Sequence, residues 1–262
     1  MTEHSGVRLP GPRATPVVSI RLLGAFAVEV DGRPVALPAG AQRLVALLAL
    51  RGRTGRSRLA GLLWSGTTEH RALASLRTGI WRVNQAAPGL VVSAHGIVEL
   101  GLTADVDVTD LIDGARAVLH GTTDTLAPVD GGVGPGELLP DWDDPWLDAE
   151  RERLHQLRLH VLEAAAGQLA EQGHYGLALE SALAALRADD LRESAHRAVI
   201  SIHLAEGNVA EARRAYDLCR RTFVEELGIE PSSAIAAMLA RETRETPGHS
   251  RGTLHAVTRS TP

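Results

Sequence analysis

The 262-residue chain has no lysine, so all 27 of its basic residues are arginine. Aromatic residues make up only 3% of it, and there is one cysteine, Cys219. A single thiol cannot close an intramolecular disulfide, and its place in a helical pattern fits a buried structural role in a reducing compartment. Long apolar runs are missing as well. No stretch reaches the roughly 20 residues that span a bilayer, and the N-terminus lacks the basic-then-apolar layout of a signal peptide, so a cytoplasmic protein without membrane contact is expected. Nor is there a GxxxxGKS/T phosphate loop, a nucleophile elbow or a defensible catalytic pair of carboxylates. No enzyme activity and no cofactor are expected.

The most informative absence is local. In HRALASLRTGIWRVNQ, His70 to Gln85, there is no carboxylate. At about 100° per residue, Leu73, Leu76, Ile80 and Val83 share one face, the spacing of a buried stripe. Arg71, Ser75, Thr78 and Arg82 lie opposite, with Arg77 nearer the edge of the apolar face. Surface helices usually mix both signs of charge, so a face cleared of acid points to an anionic partner. The wider charge distribution agrees. Net charge is -5, yet residues 1–99 carry 12 arginines against five acids, and the excess of acid lies beyond them.

Hydrophobic residues at 44% and a length of 262 residues allow two domains. Residues 1–16, rich in Pro and Gly, are expected to be disordered. VVSIRLLGAFAVEV reads as strand, Asp31-Gly32 as a hairpin turn, and Pro34 to Leu37 as a short strand. AGAQRLVALLALRG reads as a helix ended by Gly52. RLAGLLW reads as a second helix with Ser57 as N-cap, and the carboxylate-free segment as a third, stopped by Pro88-Gly89. LVVSAHGIVEL reads as a hairpin about His95-Gly96. Strands, three helices and a terminal hairpin predict a winged helix-turn-helix over 17–103, whose third helix enters the major groove of double-stranded DNA.

After Thr103 the composition turns acidic. ADVDVTDLIDGARAVLH reads as a linker into a helix, TTDTLAPVDGGVGPG as a loop, and the chain from Pro145 as successive helices. Gly173 and Gly207 stand 34 residues apart, and Ala178 and Ala212 keep the same offset, the period of tetratricopeptide helix pairs. An all-α domain over 104–245 and a disordered tail over 246–262 are expected. Asp141, Asp143 and Asp144 lack the spacing of a calcium loop, and His155, His160, His174, His196 and His203 show no ligand set, so no metal is expected. Trp142 and Trp146 read as core anchors.

IRLLGAFAVEVDGRPV, AQRLVALLAL, ASLRTGIWRVN, DWDDPWLDAERERLHQLR, LRESAHR, GNVAEARRAYD and EELGIEPS together resemble the Streptomyces antibiotic regulatory protein family. In that family an OmpR-type winged helix precedes a bacterial transcriptional activation domain. The resemblance implies an activator of antibiotic biosynthetic genes that binds direct repeats near a promoter, as head-to-tail copies, and recruits RNA polymerase holoenzyme. It places the recognition helix on Glu69 to Gln85, with DNA contacts from Arg71, Ser75, Thr78 and Arg82, and Arg77 assigned to a phosphate or to packing of its stem. Backbone contacts fall to Arg43, Arg56, Arg58 and the wing residue His95. The wing departs from the family pattern, offering His95 and Gly96 where relatives often carry basic residues and a Gly-Tyr pair. That departure leaves a second reading open, a helical-repeat scaffold or anti-activator with little DNA affinity.

Overall fold

The structure, a computed structural model, describes residues 16–101, 104–121 and 136–245. The expected disordered termini and the Gly/Pro loop fall almost wholly outside them. Contacts divide the described chain into two compact units, residues 16–121 with 136–161, and residues 162–245.

In the first unit, β1 (Val18–Arg21) pairs antiparallel with β2 (Ala27–Val30), which pairs with the two-residue β3 (Arg33–Pro34). Asp31 and Gly32 both take positive φ, 51° and 73°, the left-handed pair of a tight hairpin. The strand expected at Pro34 to Leu37 is thus shorter and earlier. Next come α1 (Ala39–Arg51), β4 (Thr54–Gly55), α2 (Arg56–Leu63), α3 (Glu69–Ala86), β5 (Val91–Ala94) and β6 (Ile97–Leu100). β5 and β6 form the wing, and β4 adds to its edge through Thr54 opposite Val98. Arg51–Arg58 is therefore largely strand and helix start, not a loose basic loop. Gly55, not Ser57, occupies the N-cap of α2.

The expected linker after Thr103 is structured. β7 (Ala104–Val106) runs parallel to β1, completing the sheet order β3-β2-β1-β7, and α4 (Asp107–Leu119) follows directly. The Asp107 carboxylate accepts the backbone N–H groups of Leu22 and Leu23 at 2.9–3.0 Å and of Val108 at 2.8 Å. Beyond the end of β1 those two N–H groups have no ladder partner, and leaving them buried without one is expensive. Leu139 N–H donates to Leu22 O, and Gly24 N–H to Glu137 O, so residues 137–139 close the same edge.

Asp144 and Pro145 then open α5 (Pro145–Glu171), with Pro at the first helical position, where its missing N–H costs nothing. Arg151 donates to the carbonyls of Leu138, Leu139 and Trp142 at 3.0, 2.6 and 2.8 Å. Trp142 stacks on Phe26, centroids 5.6 Å apart, and Trp146 and Leu147 are buried in the same core as Leu44 and Leu76. Both tryptophans anchor the core as expected. The start of α5 thus belongs to the winged-helix unit, which takes in more chain than the 17–103 marked by composition.

In the second unit α6 (Tyr175–Ala188), α7 (Glu193–Ala205), α8 (Val209–Leu227) and α9 (Ser233–Glu245) stack in order on the remainder of α5. The 34-residue offset is a repeated turn. Gly173 and Gly207 have φ of 79° and 81°. Gly173 and His174 N–H bond back to Ala170 and Leu169 O, and Gly207 and Asn208 N–H to Leu204 and His203 O. This is the same Schellman closure twice, and Ala178 and Ala212 are both fully buried one turn later. Cys219 is buried among Ile200, Phe223 and Ile235, and burial pushes its thiol up to about 11, with Glu193 adding to the rise.

The LRESAHR segment is a staple between helices. Arg192 donates through Nε and a terminal nitrogen to Glu163 of α5 at 2.6 and 3.3 Å, and Ser194 Oγ donates to the same carboxylate. Glu193 accepts from the hydroxyl and N–H of Ser232, just ahead of α9. The buried His196 ring meets Asp190 O at 2.8 Å and packs edge-on against Phe223. Among the described residues no cluster of His, Cys, Asp or Glu could hold a metal ion.

Two outcomes are expected. Asp107→Ala, which strands the Leu22 and Leu23 N–H groups, should destabilise the first unit by about 2–4 kcal/mol in urea unfolding. The hydrogen bond from the Ser232 hydroxyl holds the Glu193 carboxyl below its usual 4.5, against an opposing burial effect. Its contribution to stability is therefore present above pH 4.5 and is lost as pH falls through the folded pKa. Glu193→Gln should lower the thermal midpoint near neutrality and converge with the parent chain below that window.

Candidate nucleic-acid interface

α3 starts at Glu69, whose carboxylate suits the positive end of the helix. Its bounds match the expected helix to within a residue, but its buried stripe is turned. Ala72, Leu76, Gly79 and Val83 are the buried positions, whereas Leu73 and Ile80 are partly buried flanks. The cause is the approach of α1 and of Trp64, just after α2: a Cβ at Gly79 would lie 3.5 Å from a Leu44 methyl and 3.9 Å from the Trp64 ring. Small residues at 72 and 79 let the three helices meet closely, and the larger Leu73 and Ile80 are displaced to the sides.

On the outward surface Arg71, Arg77, Thr78 and Arg82 are exposed and Ser75 is half-buried. None of these three arginines makes an ion pair among the described residues. Ser75, Thr78 and Arg82 border a groove of about 340 Å³ whose far wall is Gly40 and Trp64. The Thr78 hydroxyl donates to Ala74 O at 3.1 Å, so what it presents outward is acceptor capacity and a methyl group. On the other flank Asn84 donates to Val91 O at 2.7 Å and accepts Val91 N–H at 3.2 Å, fixing the root of the wing beside the helix. This arrangement offers free guanidinium forks, able to bind a phosphate or the O6/N7 edge of guanine, on a helix held rigidly by its apolar face.

The residues expected to touch the backbone divide. Arg58 is exposed in the first turn of α2, and His95 is exposed at the wing tip with φ 52°. Arg56 donates to Ser93 Oγ at 2.9 Å, and its N–H bonds to Gly96 O, so it braces the wing. Arg43 is the clearest departure: its Nε donates to Asp144 Oδ2 at 2.9 Å, pairing α1 with the start of α5. Arg51 does likewise with Glu150 at 3.0 Å, and Arg53 pairs with Glu99 at 2.8 Å. Arg43 and Arg51 of α1, and Arg53 just ahead of β4, neutralise acids of their own unit, whereas the arginines of α3 make no ion pair among the described residues.

Reading by periodicity passed over one residue of α3. Trp81 is 61% exposed. The signal was present in the sequence, since position 81 lies well away from the buried stripe.

A three-helix core with a hairpin wing, followed by stacked helical repeats, defines a winged-helix protein with a tetratricopeptide-like domain. Residues 135–241 match the bacterial transcriptional activator domain family. The chain is 28% identical to the regulatory protein AfsR of Streptomyces coelicolor over 241 residues, 86% of this chain and 24% of that protein. It is 30% identical to AfsR of Streptomyces griseus over 216 residues, 78% of this chain and 22% of that protein. It thus spans about a quarter or less of the length of these relatives. A solved structure, Mycobacterium tuberculosis EmbR in complex with a low affinity phosphopeptide, superposes with a TM-score of 0.70 at 20% identity, covering 89% of this chain and 67% of that one, and shows the shared fold. The domain match and the two regulatory relatives agree with the resemblance to the Streptomyces antibiotic regulatory protein family. Among the described residues, no helix is long and apolar enough to cross a membrane.

Gly79→Ala tests the close approach on α3. The added methyl meets only ordinary contacts, and alanine is favoured over glycine in a helix interior by about 1 kcal/mol, so the variant should be more stable by roughly that amount. Gly79→Leu should instead lose several kcal/mol by overpacking, roughly 1–3 or more. Paired urea titrations would read both.

Proposed function

We propose that this chain is a sequence-specific DNA-binding transcriptional activator. It binds direct repeats near the promoter of a secondary-metabolite gene cluster, in the cytoplasm at the nucleoid, as head-to-tail copies, and recruits RNA polymerase. The reading rests on one observation above all: α3 projects Arg71, Arg77 and Arg82, which make no ion pair among the described residues, from a surface with no carboxylate between Arg71 and Gln85. An acid there would be repelled by phosphate, and an arginine already paired within the protein would have to be released before it could bind. Ser75 and Thr78 add hydroxyl groups of the kind that meet bases and phosphates, and Arg58 and His95 stand ready at the periphery. Arg43 is left out of the backbone set, because Asp144 holds it.

The domain match and the regulatory relatives support transcriptional regulation in the broad sense. The operator, the regulated cluster and the assembly on DNA are this proposal's own content. No catalytic step is part of it. The second reading, a helical-repeat scaffold with little DNA affinity, is favoured by the wing, where Arg56 is drawn to Ser93 and only His95 stands at the tip.

Duplexes selected by the full chain from a random library provide the test, with chromatin immunoprecipitation in the native host beside it. Arg71→Ala with Arg82→Ala should lose tenfold or more in affinity, about 1–3 kcal/mol for each base-reading arginine, with the circular dichroism spectrum unchanged. Every phosphate contact removed should lower the salt slope by about 0.9. Enrichment of no sequence by the parent chain would favour the scaffold. A single protected inverted repeat would rule out the head-to-tail arrangement, since a two-fold dimer reads such a site.

A further inference from the structure

Trp81 is the most exposed large aromatic side chain among the described residues, on a helix whose other face is fully packed. An indole carries a large apolar surface and a polar N–H, and tryptophan is enriched where a protein surface meets a partner. Its surroundings identify the partner. One turn before and after it on the helix stand Arg77, Thr78, Asn84 and Gln85, none of them acidic. At about 100° per residue Trp81 lies nearly opposite the buried Ala72, Leu76, Gly79 and Val83 and does not line the groove of Ser75 and Trp64, with Thr78 on one flank and Asn84, which holds the root of the wing, on the other. Arg77 shares that flank and is exposed. The outward surface of α3 therefore carries hydroxyls and arginines at 71, 75, 78 and 82 along one side and Arg77 on the other, with the Trp81 indole between them and Gln85 beside Thr78.

We infer that Trp81 is a sequence-reading residue, its indole packing on the 5-methyl group of a thymine in the major groove. The inference rests on the DNA-binding reading above and adds to it. The thymine methyl is the one apolar group on the major-groove edge of duplex DNA, and apolar side chains discriminate thymine through it. Phosphates and the remaining base-edge groups call for donors and acceptors, which the indole ring apart from its N–H lacks. Charge complementarity argues for DNA over a protein partner: the indole sits among free cations and amides with no acid beside it.

The experiment uses the full chain and the duplex it selects from a random library. Trp81→Ala should bind the selected duplex about tenfold more weakly, and random duplex within twofold of the parent, with an unchanged salt slope because no charge is removed. Trp81→Phe should keep most of the affinity. Replacing each thymine in turn by deoxyuridine, which lacks only the methyl, should weaken the parent about fourfold at one position per half-site. Trp81→Ala should be indifferent to that same replacement, which is the signature of direct contact. Circular dichroism and thermal midpoints of both variants check the fold, which an exposed side chain should not govern.

Unchanged affinity in Trp81→Ala, or a loss that no deoxyuridine position reproduces, would overturn the inference while leaving DNA binding standing. So would a variant that binds one half-site normally but no longer loads a second copy, since the indole would then cover protein. Failure of the parent chain to select any duplex is a separate result, and it would remove the DNA-binding reading together with this one.

Discussion

Three consecutive residues, Leu22 to Gly24, govern how the first unit is assembled. The chain leaves β1 there with backbone groups that its own hairpin cannot satisfy, in a position where Leu22 is wholly buried. Asp107 takes two of the N–H groups from 84 and 85 residues away, and Leu139 and Glu137 take up neighbouring positions from farther still. Three separated parts of the chain are thereby tied at one sheet edge. Each bond adds only about 1 kcal/mol net, but the cost of leaving its buried partner unmet is larger, so the edge closes as a unit or not at all.

The start of α5 inherits its position from that closure. Residues 137–139 lie against β1, and Arg151 gathers the carbonyls of Leu138, Leu139 and Trp142 into the first turns of the helix. Asp144 and Glu150 then meet Arg43 and Arg51 of α1. The family domain matched over 135–241 thus begins within the winged-helix unit, and a boundary drawn at the change of composition would cut through a shared core. The same pairs explain which arginines are available. Those on α1 serve the fold, and those on α3 make no ion pair among the described residues.

Much of this was legible from residue patterns. The ends of α3, the hairpins at Asp31-Gly32 and His95-Gly96 and the repeat at Gly173 and Gly207 depend on local stereochemistry, which a short window of sequence carries. The phase of the buried face of α3 was harder. Equal weighting of apolar residues pulls the stripe toward Leu73 and Ile80, whereas the close approach of Leu44 and Trp64 at Gly79 turns the buried face toward the small residues. β7 escaped notice because three residues containing an aspartate have little strand character until β1 lies beside them.

Sequence by itself determined the helices, the turns, the absence of acid from His70 to Gln85 and the family resemblance, because each is a property of neighbouring residues or of a linear motif. Tertiary structure alone decided that Arg43 is bound to Asp144 and that Arg56 braces the wing. Whether a side chain is free or engaged depends on what the fold brings beside it. For Arg43 that partner is 101 residues away, beyond the reach of any local pattern.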